Sequence, residues 1–498
     1  MNEKPLQAKL ARSKTGIPGL DDVLAGGLTP NRLYLVDGNP GAGKTTLSLQ
    51  YLIEGVKQRE KCLYITLSET REELLAGAAS HGWSLEGIEI VELIAETQEL
   101  DGDGQVTMYP AAEVELHETT RRILAAVERV NPSRVIFDSL SELRLLAQSS
   151  LRYRRQILAL KQFFIGRDCT AILLDDRTSE GSDLHLQSIA HGVISLEQLA
   201  PLYGAARRRL RVIKFRGTDF RGGYHDFSIE YGGLRVFPRL VAIEHQQPFA
   251  SERIKSGVTA LDALLGGGPD RGTSTLLMGP AGSGKSTIAV QYAVAAAERG
   301  DHAVVFAFDE SPATLEARSE SLGIRFKEGK AAGHVRVEQI DPAEVSPGEF
   351  ACLVRDAVET DQARVLVIDS LNGYMNAMPE EKFLTAQLHE LLTYLGRQGV
   401  TTLLVVAQHG LVGSHMQSPV DTSYLADSVI LLRYFEHAGK VKKAISVVKK
   451  RSGAHEESIR ELWFDSAGIH LSEPLSDFRG ILSGIPQEIK TEAGERRQ

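Results

Sequence analysis

One short pattern occurs twice in this chain of 498 residues. The first copy is Gly38-Asn39-Pro40-Gly41-Ala42-Gly43-Lys44-Thr45, followed by Thr46; the second is Gly279-Pro280-Ala281-Gly282-Ser283-Gly284-Lys285-Ser286, followed by Thr287. Both fit G-x-x-x-x-G-K-[ST], a loop whose backbone N–H groups wrap a triphosphate while its lysine reaches the terminal phosphates and its hydroxyl holds Mg²⁺. The flanks agree. Leu33-Tyr34-Leu35-Val36 reads as a buried strand before the first loop, and Leu47, Tyr51, Leu52 and Val56 form an apolar stripe with helical spacing after it. Leu276-Leu277-Met278 and the run from Ile288 to Ala297 do the same around the second. A loop leading from strand to helix also aims the helix's positive end at the phosphates.

The repetition extends beyond the loops. Thr15-Gly16-Ile17-Pro18-Gly19-Leu20-Asp21 resembles Ser256-Gly257-Val258-Thr259-Ala260-Leu261-Asp262, and a glycine cluster follows each. The second copy stands 241 positions after the first both at Thr15 and Ser256 and at Lys44 and Lys285. A constant offset over such a span means two homologous domains, expected at 1–245 and 246–485, with a linker near 238–256 and a charged, disordered tail over 486–498. In each copy short apolar runs (62–66, 135–137, 171–174 and 210–215; 304–308, 365–368, 402–406 and 444–448) alternate with amphipathic stretches. This predicts an α/β fold in which each domain is a mostly parallel twisted sheet with helices on both faces, binding nucleotide at the carboxyl ends of the strands.

Two strands end in an acid, Arg134 to Asp138 and Arg364 to Asp369. Downstream of a P-loop, such an Asp holds Mg²⁺ together with the loop hydroxyl, so Thr45 with Asp138 and Ser286 with Asp369 are the candidate metal residues. The strand after each P-loop helix ends in Ser68-Glu69 and Asp309-Glu310; Glu69, Asp309 and Glu310 are candidates to orient or deprotonate an attacking water or hydroxyl. Late in each copy, Lys214 and Arg216, and Lys449 and Arg451, share a strand face by their period of two and form a cationic tip suited to a neighbouring subunit's γ-phosphate. Arg207-Arg208-Arg209 lacks interleaved aromatics and reads as a solvated or inter-subunit run.

The net charge is −9, which argues against tight, sequence-blind nucleic-acid binding. Cys62, Cys169 and Cys352 lie far apart with no metal or disulfide spacing, and Cys62 and Cys169 border apolar strands as core residues. No run approaches the length of a membrane span. We expect a cytoplasmic protein with no membrane partner.

Two P-loop domains in tandem, the Thr/Ser-Gly-x-x-x-Leu-Asp openings, the acidic strand ends and the K-x-R strands together resemble the KaiC family of RecA-like ATPases and autokinases, over 13–486. The ending Phe478-Arg479-Gly480-Ile481-Leu482-Ser483-Gly484-Ile485-Pro486 is similar to that family's C-terminal region. The resemblance implies two RecA-like domains, ATP and Mg²⁺ as ligands, and a double-ring homohexamer with ATP between subunits. It also implies hydrolysis mainly in the first ring and Ser/Thr autophosphorylation in the second, at Ser423 or Thr422. Clock or signalling proteins would be the partners. The chain departs from the family where paired glutamates become Ser68-Glu69 and Asp309-Glu310, where Ser452 follows the second finger arginine, and where the second acceptor becomes Tyr424. A DNA-dependent ATPase of the RecA or helicase type, or a nucleotide-gated scaffold with little catalysis, are the alternatives.

Overall fold

A computed structural model of the chain describes residues 11–93, 111–176, 184–201, 204–376, 383–408, 424–482 and 487–488. Two compact units are formed, Met1–Arg239 and Leu240–Gln498. In the first, nine strands are β1 (Leu33–Gly38), β2 (Cys62–Thr66), β3 (Ile88–Glu92), β4 (Arg134–Asp138), β5 (Thr170–Asp176), β6 (Gly192–Leu199), β7 (Arg207–Phe215), β8 (His225–Glu230) and β9 (Gly233–Phe237). Their order across the sheet is β3-β2-β4-β5-β1-β6-β7-β8-β9. Neighbours from β3 to β6 run parallel, and β7, β8 and β9 follow antiparallel.

The second unit repeats the plan. Its strands are β10 (Ser274–Gly279), β11 (His302–Ala307), β12 (Val335–Gln339), β13 (Ala363–Asp369), β14 (Thr401–Ala407), β15 (Ser428–His437), β16 (Lys440–Lys450), β17 (Arg460–Asp465) and β18 (Gly468–Pro474), in the order β12-β11-β13-β14-β10-β15-β16-β17-β18. The expected fold class is thus observed, with an antiparallel ribbon added along one side of each parallel sheet.

Central strands are covered on both faces, which is why they read as unbroken apolar runs. Tyr34 and Val36 of β1 pack with Leu47, Leu49 and Leu52 of the helix Lys44–Lys57 on one face. Leu33 and Leu35 point the other way, into Leu143, Ile157 and Leu160 of the helices Leu140–Ala147 and Ser150–Phe164. The opening motifs gain a structural meaning as well. The N–H and hydroxyl of Thr15 both donate to Asp21 Oδ1, at 2.9 and 2.8 Å, and Ser256 does the same to Asp262 at 2.8 and 2.7 Å. Each motif is a closed turn whose glycine, Gly16 or Gly257, sits at φ 71° or 80°, where other residues are strained.

Part of the segment expected as a linker belongs to the second unit's core. Leu240 and Ala242 pack with Leu388 and Leu391, and the Ala242 N–H donates to Glu390 Oε1 at 2.7 Å. Of the expected tail, Gln487–Glu488 pairs antiparallel with Phe478–Arg479; 489–498 lie outside the described residues. Cys62 and Cys169 are buried, and burial raises their thiols to about 11 and about 12.

Arg134, 1% exposed, ties the first unit together. Its Nη1 donates to the carbonyls of Lys14 and Tyr51 at 2.8 and 2.9 Å, its Nε to the Glu60 carboxylate, and its guanidinium lies 4.4 Å from the Tyr51 ring centroid. Arg134→Leu takes the donor away from Glu60 and two carbonyls, so the first unit should lose about 1–3 kcal/mol. Denaturant unfolding should show its transition moved to lower concentration and that of the second unit unmoved; an unmoved first transition would refute the role given to Arg134.

Candidate nucleotide site

Parallel strands all finish at one edge, and the first site is assembled there. The loop after β1 leads into the helix Lys44–Lys57, with Gly43 at φ 98°. A Cβ at Gly43 would come within 2.6 Å of Ile229 Cδ1, so the β8–β9 hairpin roofs the loop. Lys44 is buried and its Nζ is held by the carbonyls of Gly38 and Asn39, at 2.9 and 3.0 Å, and by Asp176 Oδ1 at 2.6 Å. Asp138, at the end of β4, accepts from Thr45 Oγ1 at 3.3 Å and from Tyr64 OH at 2.5 Å. Burial raises its carboxyl, and the Tyr64 and Thr45 hydrogen bonds work against that rise.

Glu69 follows β2. The Thr66 hydroxyl fixes its backbone, donating to Glu69 O at 2.7 Å and accepting from Glu69 N at 2.9 Å. Burial raises its carboxyl, and the charges of Asp138, Glu73 and Asp176 raise it further. The next helix, Arg71–Ser80, starts in a capping box between Thr70 and Glu73. A cavity of about 400 Å³ opens between these elements, lined among others by Thr45, Thr46, Ser68, Glu69, Gly77 and His81.

The second site repeats the frame with different occupants. Gly284 opens the helix Lys285–Glu298 at φ 103°, roofed by Phe464 of β17. Lys285 Nζ donates to Pro280 O at 2.7 Å, and burial lowers its ammonium to about 8. Burial raises the Asp369 carboxyl, and the nearby Ser286 hydroxyl works against that rise. Asp309 accepts from the Ser370 hydroxyl at 2.5 Å. Glu310 is gripped by Arg318, with Nε to Oε1 at 3.2 Å and Nη2 to Oε2 at 2.8 Å.

A sequence model of the family described as ATPase: KaiC matches residues 13–241 and 254–476. The chain belongs to the KaiC family. Among proteins similar to it are the circadian clock protein KaiC3 of Synechocystis sp. (strain ATCC 27184 / PCC 6803 / Kazusa), 27% identical over 98% of this chain and 97% of that protein, and the circadian clock oscillator protein KaiC of Parathermosynechococcus lividus, 27% identical over 97% and 89%. The oscillator protein KaiC of Synechococcus elongatus (strain ATCC 33912 / PCC 7942 / FACHB-805) is 27% identical over 96% and 92%.

In this KaiC-family chain the P-loop residues, Glu69 and Asp138 of one unit, and their counterparts with Asp309, Glu310 and Asp369 in the other, converge on the carboxyl edge of their own sheets. The basic pairs do not. Antiparallel β7 ends beside the start of β6, with Phe215 opposite Gly192, whereas Gly38 stands opposite Leu196. Lys214 and Arg216 therefore sit at the far edge from their own P-loop, donating to carbonyls at Gln187 and Ser188. Lys449 and Arg451 lie likewise, bonded to the carbonyls of Ala426 and Tyr424. Arg209 is paired with Glu197 and stacked on Tyr224. Thr422 and Ser423 lie outside the described residues.

Two residues at the site were not anticipated. Asp176 extends β5 beyond the apolar run expected there, and comparing strand ends between the copies would have exposed it, since Ala407 occupies its place opposite Gly279. Arg318 is the other. Because the Asp176 carboxylate occupies the Lys44 ammonium, Asp176→Asn should tighten ATP binding at the first site by about tenfold, roughly 1.4 kcal/mol. Titration of a fluorescent ATP analogue into a Lys285→Ala background measures this, and equal or weaker binding would show that the carboxylate does not compete.

Proposed function

We propose that both units bind Mg-ATP, that nucleotide draws the chain into a double-ring homohexamer with ATP between subunits, and that the rings divide hydrolysis and autophosphorylation between them. One observation carries this reading. Each unit's phosphate loop and cationic finger occupy opposite edges of one sheet, so a unit cannot complete its own site, whereas a head-to-tail neighbour can. The finger edge of the first unit supports it. Arg216 lines a cavity of about 310 Å³ with Arg32, Lys161 and His191 and without an acidic side chain, a surface complementary to phosphate.

The residues present fit Mg²⁺. Thr45 with Asp138, hydrogen-bonded to each other, and Ser286 beside Asp369 are hard oxygen donors, the kind that Mg²⁺ prefers. Among the described residues no cluster of three or more His, Cys, Asp and Glu could hold a metal alone, which agrees with an ion shared with substrate phosphates. When bound, Mg²⁺ would neutralise phosphate charge. Lys44 and Lys285 would hold the terminal phosphates, Glu69 would take the proton from water in the first unit, and Arg216 and Arg451 would act on the neighbour's nucleotide with Lys214 and Lys449. A raised carboxyl suits Glu69 for that task.

In the second unit, Asp309 would take the proton of a Ser423 or Thr422 hydroxyl. Arg451 donates to the carbonyl of Tyr424 at 2.7 Å, and Tyr424 follows Ser423 directly in the sequence. The relatives' names, circadian clock proteins, support a role in timing; clock or signalling protein partners and a place in the cytoplasm belong to the same proposal. Among the described residues no helix is long and apolar enough to cross a membrane, and the charge of −9 speaks against nucleic acid.

Native mass spectrometry with and without Mg-ATP tests assembly. The parent should gain hexamer mass with nucleotide, and the Lys44→Ala/Lys285→Ala variant should not; ATP-dependent hexamers of that variant would sink the proposal. The two carboxylates separate the chemistries. Glu69→Gln should lower phosphate release by about 10²-fold or more, and Asp309→Asn should suppress phosphate found on Ser423 or Thr422 by peptide mass spectrometry. A parent that hydrolyses ATP for hours without gaining phosphate would remove the autokinase step.

A further inference from the structure

The helices after Glu69 and Glu310 are equivalent residue for residue. Arg71–Ser80 is capped by Thr70, and Pro312–Ser321 by Ser311. In this register Thr46 corresponds to Thr287, Glu69 to Glu310, and Gly77 to Arg318. Gly77 faces open space, with no atom near a Cβ built on it, and borders the cavity that holds Thr46 and Glu69. In the second unit that space is taken by the Arg318 side chain. Its guanidinium forks onto both Glu310 oxygens and donates from Nη1 to Thr287 Oγ1 at 3.1 Å. Arg318 and Glu310 are 32% and 25% exposed, so the pair is partly shielded from water.

We infer that Arg318 is a positioning residue that makes the two nucleotide sites unequal: by holding Glu310 as a bidentate ion pair against the P-loop, it withdraws that carboxylate as a proton acceptor for water. The inference rests on the reading of both P-loops as ATP sites. In hydrolysis the water oxygen forms a bond to the γ-phosphorus, the bond from that phosphorus to the β,γ-bridging oxygen breaks, ADP leaves, and the water proton passes to a carboxylate. Glu69 is free for that transfer. Glu310 has both oxygens accepting from the Arg318 fork, so neither is turned toward an attacking water. Asp309 is then the acid left to the second unit, and it hydrogen-bonds Ser370 rather than a cation. The arrangement lets the second unit hold ATP while losing little of it to water.

The test uses the full chain with Glu69→Gln, so that first-unit hydrolysis is silenced while its loop stays intact. Adding Arg318→Gly, which copies the first unit, should raise phosphate release at saturating ATP by about tenfold or more. Adding Glu310→Gln as well should abolish the gain, and Arg318→Lys, which keeps a cation in place, should restore most of the suppression. The converse change, Gly77→Arg in an Asp309→Asn background, should cut first-unit release by a similar factor with little change in KM. It decides the matter if Arg318→Gly fails to fold. A fall or no change in release for Arg318→Gly, a gain that survives Glu310→Gln, or undiminished release for Gly77→Arg would each overturn the inference. Failure of the Glu69→Gln chain to bind nucleotide in its second unit would overturn the ATP reading of that loop, and the inference with it.

Discussion

The shared direction of the parallel strands governs everything at the site. Strands that run the same way release their last residues at one edge, whatever their separation in sequence. In the first unit Gly38, Glu69, Asp138 and Asp176 come from or just after β1, β2, β4 and β5, and the sheet order brings them together. The lysine then has fixed neighbours before any ligand arrives. The antiparallel strands obey the opposite rule, and β7 returns its basic end to the far edge. One architectural switch, at β6 and again at β15, separates the phosphate-holding pole from the cationic pole.

Much of this was legible because the informative residues lie where patterns are strong. The P-loops, the apolar strands ending in Asp138 and Asp369, and the constant offset all follow from central strands buried on both faces. Less was legible at the margins. β3 alternates buried and exposed residues and offers no apolar run, and the apolar start of β6 is interrupted by Ser195 and Glu197. Asp175 and Asp176 look like a turn. Pairing with β1 through Gly38 carries the strand on through both. Arg318 looks like one more polar residue on an amphipathic helix, and its meaning comes from the partner it finds across the fold.

The duplicated frame carries unequal contents. Where Asp176 pairs with Lys44, Ala407 leaves Lys285 with the Pro280 carbonyl and an ammonium that burial lowers. Where Gly77 leaves a cavity, Arg318 fills one. Both contrasts arise from single positions inside conformations that the two units share. Divergence of this kind costs the fold little, because the backbone that carries the residues is held by buried apolar contacts and by the Thr15–Asp21 and Ser256–Asp262 turns.

The roof over each P-loop has a consequence for synthesis. Gly43 is covered by Ile229, and Gly284 by Phe464, residues that belong to the last strands of their units. As the chain leaves the ribosome, each loop emerges early and waits, uncovered, for almost its whole unit to follow. Nucleotide therefore meets a finished pocket only after the hairpin has closed over it. Bound ligand can reward completion of the unit, and it cannot guide the first steps of folding.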